Sequence, residues 1–202
     1  MRNKIWIFLM AMLVLMGCGG NADKIQNAES GVTAENGNGS NVTNDIATES
    51  ETEQQVYVLE FTDAVTAEGE VMSADVFAAS KLTMVNVWAT FCGPCINEMP
   101  DLGEISKSYD KTEFQMIGII SDTVEGDEEM LSEAKDIIEE TGADYPHLLL
   151  NEELYVNLVG ASDSVPTTYF FNQKGELLGY LVGAQSKGVW EEIINELLGE
   201  ME

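Results

Sequence analysis

Cys92 and Cys95, separated by Gly93 and Pro94, are the residues of the sequence best suited to redox or nucleophilic chemistry. An apolar run precedes the pair and a helical pattern follows it, so the pair is predicted at a helix start. There a thiolate gains from free backbone N–H groups and from the helix dipole. Two cysteines at this spacing can close a small disulfide ring, with one sulfur as nucleophile and the other behind it. The spacing also fits half of a metal site, although the chain has no second such pair.

The amino-acid composition argues against two kinds of site, a structural zinc site and a nucleic-acid binding site. Three cysteines are one short of a four-thiolate zinc site, and the single histidine, His147, cannot complete a His-rich site, so we expect no structural zinc. The 36 acidic and 9 basic residues give a formal net charge of -27. Such a surface repels phosphate backbones, so we expect no nucleic-acid partner. A chain of 202 residues predicts one domain with appendages.

The N-terminal residues are predicted to carry an export and anchoring signal. Residues 1–17 are predicted to be a lipoprotein signal peptide, because an apolar run too short to span a membrane follows Arg2 and Lys4. The run ends in Leu-Met-Gly-Cys18, which resembles the lipobox of bacterial lipoproteins and makes Cys18 the predicted lipidation site. The alternative is a plain signal peptide in which Cys18 is incidental. Residues 18–54 are predicted to be the lipidated cysteine and a disordered tether, since they are polar and lack aromatic side chains.

The remaining region, residues 55–202, is predicted to fold as alternating strands and helices. Strands are predicted at residues 56–59, 70–72, 82–88, 114–120, 147–150, 167–171 and 177–182, and helices at 94–109, 128–141, 152–159 and 188–198. Residues 172–175 have turn chemistry, so the last two strands should form a hairpin. This order predicts an α/β fold with a mixed central sheet and helices on both faces.

Three separated motifs carry a resemblance to a known family. They are Trp-Ala-Thr-Phe-Cys-Gly-Pro-Cys at 88–95, Glu-Met-Pro at 98–100 and Val-Pro-Thr-Thr at 165–168. In this order and spacing they resemble the TlpA/ResA-like, membrane-anchored thioredoxins, over residues 55 to about 200. The resemblance implies a thioredoxin-like fold with extra short N-terminal strands. Asn86 stands where cytosolic thioredoxins have a buried Asp. The chain departs from the family at Phe91, commonly Trp, and in the polar, acidic stretch 161–164.

The resemblance also implies roles for individual residues. Cys92 would be the exposed nucleophile and Cys95 the buried resolving thiol of a redox-active disulfide, and Glu98 would accept the proton of Cys95. Trp88, Val165 and Pro166 would bind the substrate, with Pro166 after a cis peptide bond. The alternatives are an exposed first-turn glutamate at 98 and an ordinary trans proline at 166. His147 is predicted to be non-catalytic.

The function implied by the resemblance is that of a thiol-disulfide oxidoreductase on the extracytoplasmic face of a bacterial membrane. It would reduce disulfides of exported proteins, need no metal or organic cofactor, and be reduced by a CcdA/DsbD-type membrane thiol transporter. Two alternatives stay open. A peroxiredoxin-like peroxidase would place Thr three residues before its reactive Cys and supply an Arg, whereas Thr90 is two residues before Cys92 and the chain's one arginine is Arg2. A copper-binding assembly factor of the same fold would have a CxxxC motif and a later His.

Overall fold

A computed structural model describes residues 56–201 of the protein. The predicted signal peptide, the lipidation site Cys18 and the tether lie outside these residues and stay predictions. Among the described residues, no helix combines the length and the apolar character needed to cross a membrane.

The described region contains a five-stranded mixed sheet and a separate two-stranded one. The strands are β1 (Ala64–Val65), β2 (Val71–Met72), β3 (Leu82–Trp88), β4 (Phe114–Val124), β5 (His147–Leu150), β6 (Thr167–Asn172) and β7 (Leu177–Val182). The α-helices are α1 (Gly93–Ser108), α2 (Glu128–Thr141), α3 (Glu152–Asn157) and α4 (Lys187–Glu200). Two 3-10 helices cover Ala74–Ala79 and Val159–Ala161. The larger sheet has the order β5-β4-β3-β6-β7.

Strand β3 is the centre of the fold. Every one of its residues is buried, which explains its nearly continuous apolar sequence. It pairs in parallel with β4 and antiparallel with β6. Helix α1 starts five residues after β3 ends, and its N-terminus therefore lies at the carboxyl edge of the central strand.

Helices cover both faces of the large sheet, as predicted. On one face, buried residues of α1, α2 and α4 share a hydrophobic cluster with Trp88, Phe114 and Phe170. On the other face, Phe77 of the first 3-10 helix and Leu154 of α3 pack with Val85, Ile119 and Phe171. The α/β, thioredoxin-like architecture with extra N-terminal strands is confirmed.

The short N-terminal elements differ from the prediction. In place of a strand over residues 56–59, Val58 forms a single antiparallel bridge with Glu176. The strand predicted at 70–72 exists as β2, but its partner is β1, which the sequence did not indicate. A two-residue strand has too little periodicity to be seen in sequence, because it depends on pairing with a partner elsewhere.

Candidate functional site

The two cysteines of the CxxC motif are joined in a disulfide at the start of α1. Cys92 is the N-cap residue, and its Sγ accepts a hydrogen bond from the backbone N–H of Cys95 at 3.2 Å. Pro94 occupies the first turn, where a missing N–H leaves no hydrogen bond unmade. One backbone N–H of the helix start therefore points to the sulfur of Cys92, which agrees with the predicted position of this cysteine.

The accessibility of the two sulfurs corrects one expectation. Cys92 was predicted to be exposed, yet the residue is 5% exposed in the oxidised structure, against 0% for Cys95. The order is the predicted one, but both residues are buried. In the oxidised structure Cys92 is therefore the more accessible residue of the pair, and Cys95 has no exposed surface.

Glu98 lies one turn beyond Cys95 on the same helix and is buried, with 4% of its surface exposed. Its Oε1 accepts from Asn86 Nδ2 at 3.2 Å, and its Oε2 accepts from the backbone N–H of Gln185 at 3.0 Å and from Trp190 Nε1 at 3.4 Å. Burial raises the pKa of the Glu98 carboxyl, while these three donors favour its charged form. The exposed-glutamate alternative does not describe this residue.

Asn86 connects Glu98 to the loop that carries Pro166. Its Nδ2 also donates to Thr168 Oγ1 at 3.0 Å, and Asn86 pairs with Thr168 in the register of β3 and β6. Its Oδ1 is buried and accepts no hydrogen bond within residues 56–201. Asn86 is thus a donor to the carboxylate, where an aspartate would have been a second carboxyl group beside it.

Val165 and Pro166, the two residues just before β6, form the next part of the site. The Val165–Pro166 peptide bond is cis. Val165 packs against the hydrophobic cluster that contains Cys92 and Cys95. Val165 also lines a surface cavity of about 220 Å³ together with Phe91, whose side chain is 78% exposed. These positions agree with the predicted substrate-binding role of Val165 and Pro166, which stays a prediction.

Trp88 is placed differently from the sequence expectation. Its ring is 0% exposed, so it has no surface with which to contact a substrate. Its Nε1 donates to Nδ1 of His147 at 3.0 Å, and His147 Nε2 donates to the backbone oxygen of Ala143 at 2.8 Å. Trp88 therefore supports the end of β3 from within the core. Treating Trp88 as a core packing residue, and not as a substrate contact, would have predicted its burial.

His147 is a buried neutral imidazole with both ring nitrogens used. Burial lowers its pKa from 6.5 to about 4. The ring packs on Tyr145 with centroids 4.4 Å apart and an interplanar angle of 32°, and it packs edge-on against Trp88 at 5.6 Å. A group held in this way cannot serve as a proton carrier near neutral pH. This arrangement supports the prediction that His147 is non-catalytic.

Asp122 is a site residue that the sequence did not reveal. Its Oδ2 accepts from the backbone N–H of Thr90 at 2.9 Å and from Thr90 Oγ1 at 2.8 Å. These bonds fix the turn that leads into Cys92. The carboxyl ends of parallel strands lie at one edge of a sheet, so the position of Asp122 near the end of β4 was the available signal.

Within residues 56–201, no group of three or more His, Cys, Asp or Glu side chains is arranged to hold a metal ion. The polar side chains described around the disulfide are those of Glu98, Asn86 and Asp122. Each of them makes the hydrogen bonds given above.

A mixed sheet of this order, with a CxxC disulfide at the helix after the central strand and a cis-proline before the neighbouring strand, defines a thioredoxin-like protein. Residues 52–178 match the model of the AhpC/TSA family, and the chain belongs to that family.

Sequence and structure comparisons with individual proteins are consistent with this family. The chain is 28% identical over 115 residues to the thioredoxin-like protein YneN of Bacillus subtilis, covering 57% of this chain and 64% of YneN. It is 27% identical over 117 residues to the thiol-disulfide oxidoreductase ResA of Oceanobacillus iheyensis, covering 58% and 57%. The match thus spans less than two thirds of either relative. A solved thiol:disulfide interchange protein of Chlorobium tepidum superposes with a TM-score of 0.59 at 28% identity, covering 70% of this chain and 95% of that one.

Proposed function

We propose that the protein is a thiol-disulfide oxidoreductase that reduces disulfides of exported proteins. The observation that carries the proposal is the Cys92–Cys95 disulfide at the N-terminus of α1 with the buried Glu98 carboxyl one turn behind it. This arrangement holds a nucleophilic sulfur, a second sulfur to resolve the intermediate, and a group that can take a proton. The names of the relatives YneN and ResA support the same chemistry.

The reaction starts from the reduced pair. The thiolate of Cys92 attacks one sulfur of a partner disulfide, which forms a mixed disulfide and releases the other partner sulfur as a thiolate. Glu98 accepts the proton of Cys95, and the Cys95 thiolate attacks Cys92 Sγ. The second partner thiolate leaves, and the Cys92–Cys95 disulfide remains. Two electrons have moved to the partner, so the protein carries them on its own sulfurs without another cofactor.

The oxidised pair must be reduced again by an outside dithiol. We infer that a CcdA/DsbD-type membrane thiol transporter supplies it and that the protein is anchored through Cys18 on the extracytoplasmic face of the membrane. The lipobox-like sequence before Cys18 supports this location. A Cys18→Ala protein expressed in a bacterial host should lose lipid labelling and cleavage at that site. Unchanged processing would contradict the anchor but leave the thiol chemistry untouched.

Disulfide reduction by the protein and by its cysteine variants tests the proposed activity. The reduced protein should reduce protein disulfides, Cys92→Ser should abolish the reaction, and Cys95→Ser should accumulate a mixed disulfide through Cys92. Hydrogen peroxide consumption and copper(I) titration, run on the same samples, examine the peroxidase and copper-binding alternatives. Peroxide turnover without disulfide reduction would replace the proposal by the first of these, and tight copper binding without disulfide reduction by the second.

The redox potential of the Cys92–Cys95 pair decides whether the protein reduces or oxidises its partners. Strong oxidants raise their potential by stabilising the thiolate with positive charge, and no Lys, Arg or His lies between or beside Cys92 and Cys95 in the sequence. Equilibration with glutathione buffers should therefore give a potential below about -180 mV, the level of protein disulfide isomerase. A higher value would make the protein an oxidase or isomerase.

A further inference from the structure

A second cavity extends from the cavity beside Phe91 and Val165. The second cavity has a volume of about 360 Å³ and lies between β7 and the segment before β6. Both cavities are lined by residues 162–164 and by Tyr169, so they share one wall. We treat these two adjoining cavities as one groove, which runs from Phe91 beside the CxxC motif to residues of β7.

The far end of this groove is aromatic. Tyr57, Tyr169 and Tyr180 line it, and we name this part of the groove, with residues 162–164, the tyrosine groove. Tyr169 is buried, and its ring stacks on that of Phe171 in the core with centroids 6.4 Å apart. The ring of Tyr180 packs against that of Tyr169 with centroids 5.7 Å apart, and Tyr180 is 61% exposed. The groove therefore offers a firmly supported aromatic surface with exposed edges, which suits an aromatic or large aliphatic side chain.

The groove also has a definite charge. Asp163 is exposed and is the one charged residue among those that line the two cavities in the described part of the chain. The formal net charge of the chain is -27, so a second copy of it would be repelled. Residues 19–55 of the chain contain seven acidic residues and one lysine, so they are equally ill-suited to this surface. Charge complementarity selects a cationic partner segment.

We propose that the tyrosine groove binds an extended segment of the disulfide-bearing partner that carries an aromatic or large aliphatic side chain and a lysine or arginine near the attacked cysteine. This inference rests on the proposed function, since it places the partner's disulfide at Cys92. Tyr180 and Tyr57 then contact the apolar side chain, and Asp163 pairs with the cation. Strand β7 is the last strand of the sheet within residues 56–201. Its first residue, Leu177, donates to the backbone oxygen of Tyr57, so an extended partner chain would lie along the part of β7 beyond Leu177.

Three matched peptides test the proposal. Each carries one cysteine bound as a mixed disulfide to a chromophoric aromatic thiol, and the flanking residues are Tyr and Lys, Tyr and Glu, or Ser and Lys. The rate at which the reduced, detergent-solubilised full chain releases the chromophore gives kcat/KM. We expect the Tyr-Lys peptide to react about fivefold faster than either of the others at low ionic strength, with the charge preference shrinking as salt is added.

Single substitutions test which residues cause the preference for a cationic and for an aromatic peptide residue. Asp163→Lys should reverse the order of the Tyr-Lys and Tyr-Glu peptides. Tyr180→Ser should slow the Tyr-Lys peptide about fivefold and leave the Ser-Lys peptide unchanged. Tyr155→Ser is the matched control, because Tyr155 is 55% exposed and lies outside both cavities. Tyr155→Ser should match the wild-type protein on all three peptides. The rate of each variant with a small neutral disulfide gives its basal activity, against which its peptide rates are compared.

The outcomes separate this inference from the proposed function. Equal rates for the three peptides, with the small disulfide still reduced, would overturn the tyrosine groove as a partner site and leave the activity intact. Failure to reduce even the small disulfide would contradict the proposed function. Concentration-dependent dimerisation that is lost in Tyr180→Ser would assign the groove to a second copy and would equally overturn the inference.

Discussion

Asn86 and Glu98 share a hydrogen bond of 3.2 Å inside the protein, one residue on the central strand and the other one turn beyond Cys95. The amide donates and the carboxylate accepts. Together with the N–H groups of Gln185 and Trp190, this contact gives the buried carboxylate three donors. Burial and hydrogen bonding thus act in opposite directions on the same group, which leaves it able to take and release a proton.

Replacing Glu98 by Gln should slow thiol-disulfide exchange by about 10²-fold, because general acid-base groups typically contribute on this scale. The pH profile should also lose the step that belongs to the carboxyl group. Stopped-flow exchange with a small disulfide between pH 5 and 9 measures both effects. Exchange at wild-type rates across this range would reduce Glu98 to a structural residue, and an unchanged circular dichroism spectrum would show that the fold is intact.

An Asn86→Asp substitution should move the pH profile of exchange to higher pH. Two carboxyl groups at hydrogen-bond distance cannot both ionise near neutral pH, so the pKa of one must rise. We expect about a tenfold slower exchange at pH 6 that recovers at alkaline pH. Thr168→Val, which removes the other acceptor of Asn86 without adding charge, serves as the control. A profile that superposes on the wild-type profile would contradict the coupling of Asn86 to Glu98.

Alkylation should label Cys92 before Cys95 in the reduced protein. The Cys95 N–H group points to Cys92 Sγ, and this donor stabilises a thiolate on Cys92. Iodoacetamide at about pH 6, followed by peptide mass mapping, gives the order of labelling. Single Cys92→Ser and Cys95→Ser variants provide the separate rates. Faster labelling of Cys95 would reverse the assigned roles.

Gly118 faces the ring of His147 across the β4–β5 pair. A Cβ atom at this position would overlap Nδ1 of His147, the atom that accepts the Trp88 hydrogen bond. Gly118→Ala should therefore lower the free energy of unfolding by about 2 kcal/mol, as overpacking typically does. Gly179→Ala in β7 is the control, since a Cβ there meets no atom within 4 Å. Urea denaturation of both variants measures the difference, and equal stability would show that the ring can move aside without cost.

Burial of His147 should make the protein less stable as pH falls from 6.5 to 4. The unfolded chain takes up a proton near pH 6.5, whereas the folded chain does so near pH 4, because burial lowers the pKa. The stability contributed by neutral His147 is complete above pH 6.5 and falls by about 1.4 kcal/mol per pH unit below it.

His147→Gln isolates this effect, because Gln can accept from Trp88 and donate to Ala143 but does not titrate. Glu98, whose raised pKa acts with the opposite sign, is present in both proteins and cancels in the comparison. Urea denaturation at several pH values should give a shallower decline for the variant. Parallel curves would contradict the buried neutral state of His147.

The large elements could be predicted because each carries its own pattern. The fully buried β3 has the predicted bounds, and α2 ends at Gly142, whose positive φ of 66° suits the residue that closes a helix. The cysteine pair was recognisable because its chemistry depends on spacing along four residues. The fold and the family resemblance are confirmed on these grounds.

The remaining parts of the site depend on contacts between distant residues. The hydrogen bonds from Thr90 to Asp122 and from Trp88 to His147 join positions 32 and 59 residues apart. Neither contact leaves a signal in the residues next to the CxxC motif. The expectation that Trp88 binds the substrate came from the family resemblance alone. The roles of Glu98, Val165 and Pro166 remain predictions, since a structure shows position and not rate.

The donors of Glu98 come from far along the chain. Gln185 and Trp190 lie 87 and 92 residues after the carboxylate they bind. A polypeptide that emerges from a ribosome or an export channel with its N-terminus first therefore presents its two thiols well before that carboxylate has its full set of partners. In such a nascent chain, the donors on Gln185 and Trp190 reach Glu98 only after the C-terminal segment has docked. We therefore expect any exchange that Glu98 assists to begin only when folding is complete.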